Sequence, residues 1–113
     1  MRTIIAGSRG ISRETVFNFL DNNYNETITV VICGGARGVD TFGAEWAIAN
    51  KIPVEYFPAD WNGLGKRAGY VRNAEMSEAA EALVAIWDQS STGTKHMIDI
   101  ARDKHLNVVV LKV

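Results

Sequence analysis

Residues 30–40, VVICGGARGVD, carry an apolar run straight into a glycine-rich turn and then into a helical pattern. That order of strand, tight turn and helix is the geometry of an anion site, because the first turn of a helix presents N–H groups that the helix itself leaves unpaired. Val30, Val31 and Ile32 would bury in a sheet, while Gly34, Gly35, Ala36 and Gly38 would offer backbone N–H groups at close approach. Arg37 would add a mobile positive charge. One such turn says little. Related loops follow other predicted strands, in GSRG (Gly7, Ser8, Arg9, Gly10) and in SSTGT (Ser90, Ser91, Thr92, Gly93, Thr94). Three loops of this kind converging on one edge make a pocket for a phosphate-bearing ligand.

Side chains near these loops have a functional and a structural use. Asp40 either complements the N-terminus of the following helix, typically worth ~0.3–1 kcal/mol, or steers Arg37. Asp88, at the end of a predicted strand, either takes ribose hydroxyls or caps the turn before the last helix. Asp60 is the third carboxylate by these loops that could handle a proton. Trp61, in DWNG, reads as a lid that stacks on a base in preference to a plug over the sheet edge, since Asn62, Gly63 and Gly65 loosen its surroundings. Trp46 lies on an apolar helix stripe and belongs to the core or to a subunit interface, and a homodimer is expected. His96 and His105 have only Asp99 and Asp103 near them on their helix, so neither a metal site nor a cofactor is expected.

Holding these residues together requires a regular frame. Apolar runs predict strands over residues 3–6, 28–33, 54–57, 82–87 and 107–111, the fourth being continuous enough to bury on both faces. Between them, helical spacing predicts helices over about 12–23, with Ser12 as cap, 39–50, 66–78 and 94–105. Strand then helix, repeated and closed by a strand, implies parallel neighbours joined by right-handed crossovers. The expected fold is therefore α/β, a three-layer sandwich around a five-stranded parallel sheet, with residues 1–113 forming one domain. Ligands in such sheets bind beyond the carboxyl ends of the strands, where the strand order reverses. GSRG, GGARG, PADWNGLGKRAGYVRN and DQSSTGT all fall on that edge.

Composition narrows the class of ligand. The chain has 113 residues, 47% of them hydrophobic, with a formal net charge of −1, which argues against a surface built to grip long nucleic acid. Of its basic residues, Arg9, Arg37, Lys66, Arg67, Arg72 and Lys95 lie in or just after the loops of that edge, a pattern suited to a small anion. The single cysteine, Cys33, excludes an intramolecular disulfide and a Cys-based zinc site and fits a reducing compartment. With no signal-peptide pattern and no apolar stretch near the ~20 residues that span a bilayer, a soluble cytoplasmic protein without membrane contact is expected.

Taken together, GSRG, GGARGVDTFGAEWA, PADWNGLGKRAGYVRNAEM and WDQSSTGT, in that order and spacing, resemble the short YspA-type members of the SLOG superfamily, which unites DprA/SMF proteins with LOG nucleotide phosphoribohydrolases on a Rossmann-like fold. GGARGVD is similar to the SGxARGID of DprA, Arg72 and Asn73 to its RN pair, and SSTGT to its SGS-containing loop. The resemblance implies a nucleotide-binding domain and favours ligand contact for Arg72 and Asn73 over a solvated pair.

LOG-type hydrolases carry RKxxM and PGGxGTxxE, whose arginine and final glutamate are implicated in cleaving an N-glycosidic bond. Here the first motif reads Arg72, Asn73, Ala74, Glu75, Met76, and the final position of the second falls on Met97. A thioether can neither take nor give the proton that such cleavage needs. The expected function is thus the sensing or sequestration of a nucleotide or nucleotide-derived molecule, such as a nucleoside phosphate or an ADP-ribose-like signal. The alternatives are a LOG-type hydrolase of an N-glycosidic or phosphate bond, with Arg72 and one of Asp40, Asp60 or Asp88 as catalytic candidates, and single-stranded DNA binding as in DprA. Enzyme activity stays open at this stage.

Overall fold

Five apolar runs become five parallel strands: β1 (Arg2–Gly7), β2 (Val30–Cys33), β3 (Val54–Tyr56), β4 (Ala82–Trp87) and β5 (Asn107–Lys112). The computed structural model describes residues 1–24 and 26–113. The side chain of Lys66, counted above among the basic residues of the sheet edge, lies outside the described residues. Strand order is β3-β2-β1-β4-β5, so the chain winds outward from β1 to β3, crosses back, and continues from β4 to β5. The order reverses between β1 and β4, whose register pairs Ile4 with Leu83 and Gly7 with Ile86. The architecture is α/β and Rossmann-like, with helices on both faces of an all-parallel sheet.

One face of the sheet is covered by α1 (Arg13–Asn23) and α2 (Val39–Ala49). Their residues Val16, Leu20, Val39, Trp46 and Ala47 pack with Ile5, Val31, Val84 and Ile86. The other face is covered by α4 (Ala68–Ala79) and α5 (Thr92–Asp103), through Met76, Met97, Ile98 and Ala101 against Ile4, Ala6, Ile32, Leu83 and Ala85. Alternate residues of β1 and β4 thus serve opposite cores, as the two-residue period of a strand requires. Among the described residues no helix is long and apolar enough to cross a membrane.

Two features depart from the sequence reading, and a third settles an alternative it left open. The segment expected as an open loop around Trp61 folds into a short helix, α3 (Trp61–Leu64), followed by a 3₁₀ turn over Gly65–Arg67. Its N-cap is Asp60, whose Oδ1 accepts from the Gly63 N–H at 2.9 Å. The last helix starts at Thr92, two residues early, because the Ser91 hydroxyl accepts from the Thr94 N–H and so acts as its cap. Trp46 is fully buried and its Nε1 donates to Asp21 Oδ1 at 2.8 Å. It belongs to the core, the first of the two places its stripe allowed, and offers no surface to a second copy.

Truncating Trp46 tests this assignment. Trp46→Ala is expected to cost about 3–5 kcal/mol of folding stability in urea denaturation, as for other large buried aromatics. Trp46→Phe, which keeps most of the packing while losing the donor to Asp21 and part of the ring volume, should cost distinctly less.

Candidate functional site

The loops that follow β1, β2 and β4 meet over the switch point, where a cavity of about 1110 Å³ opens between them and α4. Two of these loops are fastened to each other from below. The Ser8 hydroxyl, buried in the crevice, accepts from the Asp88 N–H at 3.0 Å, while the Ser8 N–H donates to the Ile86 carbonyl at 3.1 Å. Ser8 is therefore a strut beneath the cavity and does not line it. Asp88 is engaged in the same way, its Oδ1 accepting from the Ser90 and Ser91 N–H groups at 2.8 and 2.9 Å. Those two N–H groups hold its carboxyl below the usual range, and through them Asp88 caps the turn before α5.

The glycine-rich loop after β2 is organised around Asp40. This carboxylate sits in the first turn of α2, 5% exposed, and its Oδ2 lies 3.4 Å from the Ala36 N–H. Burial pushes its carboxyl up to about 6, against the opposing pull of Arg72 and of the N–H groups of Ala36, Gly34 and Gly7. Of the four N–H groups that sequence reasoning assigned to a ligand phosphate, those of Gly34 and Ala36 are thus turned toward an internal anion. Gly38 packs against the backbone of Ser8 and Arg9, away from the cavity. Neighbouring Cys33 is a free thiol, pushed up to about 11 chiefly by burial.

Arg72 reaches from α4 across the same loop. Its Nη1 donates to the Gly34 carbonyl at 2.7 Å, and its Nε is buried without a hydrogen-bond partner. The approach is possible only over a glycine. A Cβ on residue 34 would run into Nη1 and stand 2.7 Å from Cζ of Arg72. Arg72 and Asp40 line the cavity together with Gly7, Arg9, Gly34, Gly35, Ala36 and Arg37. Arg9 and Arg37 are exposed, which leaves both guanidinium groups free to swing toward an anion.

Across the cavity stand Ser90, Ser91, Thr92, Gly93 and Thr94, at the start of α5. With the Thr94 N–H taken by Ser91, the helix geometry leaves the first-turn N–H groups of Thr92 and Gly93 without an intrahelical partner. Asn73 ties α4 to this turn. Its Nδ2 donates to the Gly93 carbonyl at 3.3 Å and lies 3.1 Å from His96 Nδ1. The carbonyl fixes the amide's orientation, so the imidazole accepts at Nδ1 and carries its proton on Nε2. Asn73 reaches the cavity wall, but both of its donor protons are committed to this brace.

The rim and floor hold residues that sequence reasoning missed. Trp61 lines the cavity as expected, whereas Asp60 does not, its carboxylate being spent on the α3 cap. Pro58, Ala59, Gly69 and Tyr70 join Trp61 at the wall. Met76 and Met97, each 1% exposed, lie at the bottom. Tyr70 had a signal in the sequence, two positions before Arg72 within GKRAGYVRN. Among the described residues, no group of three His, Cys, Asp or Glu side chains converges as a metal site would require.

Two substitutions separate the loop's roles. Gly34→Ala sets a methyl against the mobile end of Arg72, so the chain should fold with a loss near the worth of one hydrogen bond, about 1 kcal/mol. Gly7→Ala sets it against the Ile86 carbonyl and Val39, neither of which can yield, and should cost the ~1–3 kcal/mol or more typical of overpacking. Urea denaturation should rank the two in that order.

A pH series isolates Asp40. Because the folded-state value is about 6 against an ordinary 3.8, the folded protein binds a proton more tightly than the unfolded chain between those limits. The Asp40 contribution to stability therefore falls as pH rises through that window, by up to about 3 kcal/mol. Asp40→Asn, which keeps an oxygen for the Ala36 N–H, should remove that slope and be the more stable form at pH 8.

Comparisons with known proteins bear on the family and the fold. The model of the YspA, cpYpsA-related SLOG family matches residues 1–63. The Gene 61 protein of Mycobacterium phage D29 is 34% identical over 117 residues, covering 96% of this chain and 94% of that protein. Among solved structures, DNA processing protein A (DprA) from Streptococcus pneumoniae superposes with a TM-score of 0.77 at 15% identity, over 96% of this chain. The chain spans 49% of the DprA chain, so the likeness speaks to the shared fold. On the family match and the near full-length relative, the chain belongs to the YspA, cpYpsA-related SLOG family.

Proposed function

We propose that the protein binds a nucleotide or a nucleotide-derived small molecule in the cavity over the switch point, and holds it without cleaving it. The observation that carries this reading is the convergence of Arg72, with its unpartnered Nε, and the open first turn of α5 on one cavity. Cation and oriented N–H groups together are what a phosphate needs. Arg9 and Arg37 supply further positive charge at the rim. The volume, about 1110 Å³, exceeds the need of phosphate alone and lies just above the range of roughly 300–1,000 Å³ usual for small-molecule sites. Residues 1–113 act as one such domain in this reading, and a cytoplasmic setting with a free Cys33 suits it.

Sequestration is favoured over hydrolysis by what lines the floor. Met97, where LOG-type enzymes have a glutamate, is apolar and buried at the cavity wall. Asp60 and Asp88 are occupied as caps. Asp40 remains as the carboxylate in the wall, with its backbone partners already around it. The DNA reading has the likeness in fold to DNA processing protein A in its favour and the net charge of −1 against it.

Thermal shift and base release, measured with adenosine monophosphate and ADP-ribose, test the reading. Both ligands are expected to raise Tm without liberating base above background. Arg72→Ala should weaken binding by ~1.5–3 kcal/mol, as expected for a charge-assisted contact. Base release abolished by Asp40→Asn would make the protein a hydrolase. Tight, steeply salt-dependent binding of single-stranded DNA without nucleotide binding would overturn both readings.

A further inference from the structure

We infer that Trp61 and Tyr70 form the subsite for the planar base of the bound ligand, and that they recognise it by stacking instead of by its hydrogen-bonding edge. This inference rests on the nucleotide reading above and adds how the ligand's non-phosphate end is held. Trp61 is 58% and Tyr70 50% exposed, and both line the cavity. A chain that buries Trp46 completely leaves these two rings exposed along the wall of this cavity.

Both rings are held rather than adrift. Trp61 opens α3, whose turn is closed by the Asp60 cap and by the Leu64 N–H donating to the Asp60 carbonyl at 2.9 Å. Its ring reaches across to α4 over Gly69, where even an added Cβ would meet the indole Cη2 at an ordinary 3.5 Å. Tyr70 stands edge-on to the His96 ring, with centroids 4.6 Å apart and planes at 74°. His96 is fixed in turn by Asn73, and Asn73 by the Gly93 carbonyl. The brace that shapes the α5 end of the cavity therefore also sets the Tyr70 ring, coupling the two ends of the site through one amide.

The chemistry beside the rings decides what they can read. Pro58, Ala59 and Gly69, their wall neighbours, carry no side-chain donor or acceptor. A base seated there meets aromatic and aliphatic surface, which every base can use because each has a π face. Discrimination should follow ring area, with purines ahead of pyrimidines and little distinction between adenine and guanine. The polar identity of the ligand would be read at the other end, by Arg72 and the α5 turn.

The test titrates wild type, Trp61→Ala, Trp61→Phe and Arg72→Ala with adenosine, guanosine and cytidine monophosphates and with ribose 5-phosphate, following calorimetry and tryptophan fluorescence. Wild type should bind both purine nucleotides within about threefold of each other. Trp61→Ala should weaken them by about 5- to 150-fold, the range of a lost base–aromatic stack. It should leave ribose 5-phosphate unchanged, and Trp61→Phe should restore most of the loss. Arg72→Ala should weaken all four ligands. Purine nucleotides should quench fluorescence in wild type but not in Trp61→Phe, since Trp46 is buried and Trp87 donates to the Ser91 carbonyl at 3.0 Å. If nucleotides and ribose 5-phosphate bind equally to wild type and Trp61→Ala, the stacking subsite is wrong while the phosphate site stands. If wild type binds none of the four, both readings fall.

Discussion

Asp40 is an anion that the protein supplies to itself. Its carboxylate is buried in the first turn of α2, where the glycine-rich loop of this sheet would otherwise present N–H groups to a ligand. A charge buried to that degree is tolerable only when it is surrounded by donors and an opposite charge. Those requirements shape the site. They draw the Gly7, Gly34 and Ala36 N–H groups inward and keep Arg72 near enough to act on the carboxylate. They also require the glycine at position 34, over which the guanidinium lies. In the proposed reading the external anion is received nearer α5 than α2, since the capped but open first turn of α5 lines the same cavity.

The frame was legible in the sequence because it depends on periodicity, and periodicity survives without knowledge of partners. The continuous apolar run of β4 and the strand-and-helix alternation identified the sheet and the edge that carries the loops. Shorter features were lost where one side chain decides. Nothing in the spacing of DWNGLGK distinguishes a mobile lid from a turn of helix until Asp60 is seen accepting from Gly63. Likewise, Trp46 on an apolar stripe reads the same way for a core and for an interface. What settles it is Asp21, twenty-five positions away, taking the indole proton.

The site was legible as a set of loops but not as a division of labour within them. Ser8, Asp60 and Asp88 are residue types that bind ligands and also cap turns, and here hydrogen bonds inside the protein use them. Gly38 is spent on a close backbone approach. Arg72 shows the opposite case. By spacing alone a helical arginine next to an asparagine also reads as solvated, and it is the family resemblance that favours ligand contact; the tertiary contact with the Gly34 carbonyl, thirty-eight positions earlier, is what brings it into the wall. A short polar side chain near a backbone N–H is the first to be consumed locally. Long side chains reach the cavity from elsewhere.

That division bears on why a site of this lineage would hold a ligand and leave it intact. Cleavage of an N-glycosidic bond needs a group that can move a proton or stabilise charge at the sugar, poised with a free lone pair. The floor offers the thioethers of Met76 and Met97 instead, each 1% exposed. Asp40 has the perturbed acidity that a general acid would want, but the cause is burial under its own loop, and neutralising or removing its charge relaxes a cost to the fold. A perturbed carboxyl in a cavity wall is therefore explained here by packing alone. In the proposed reading, a cationic end, an aromatic end and an apolar floor between them secure a nucleotide at both extremities and bring no uncommitted base to its centre.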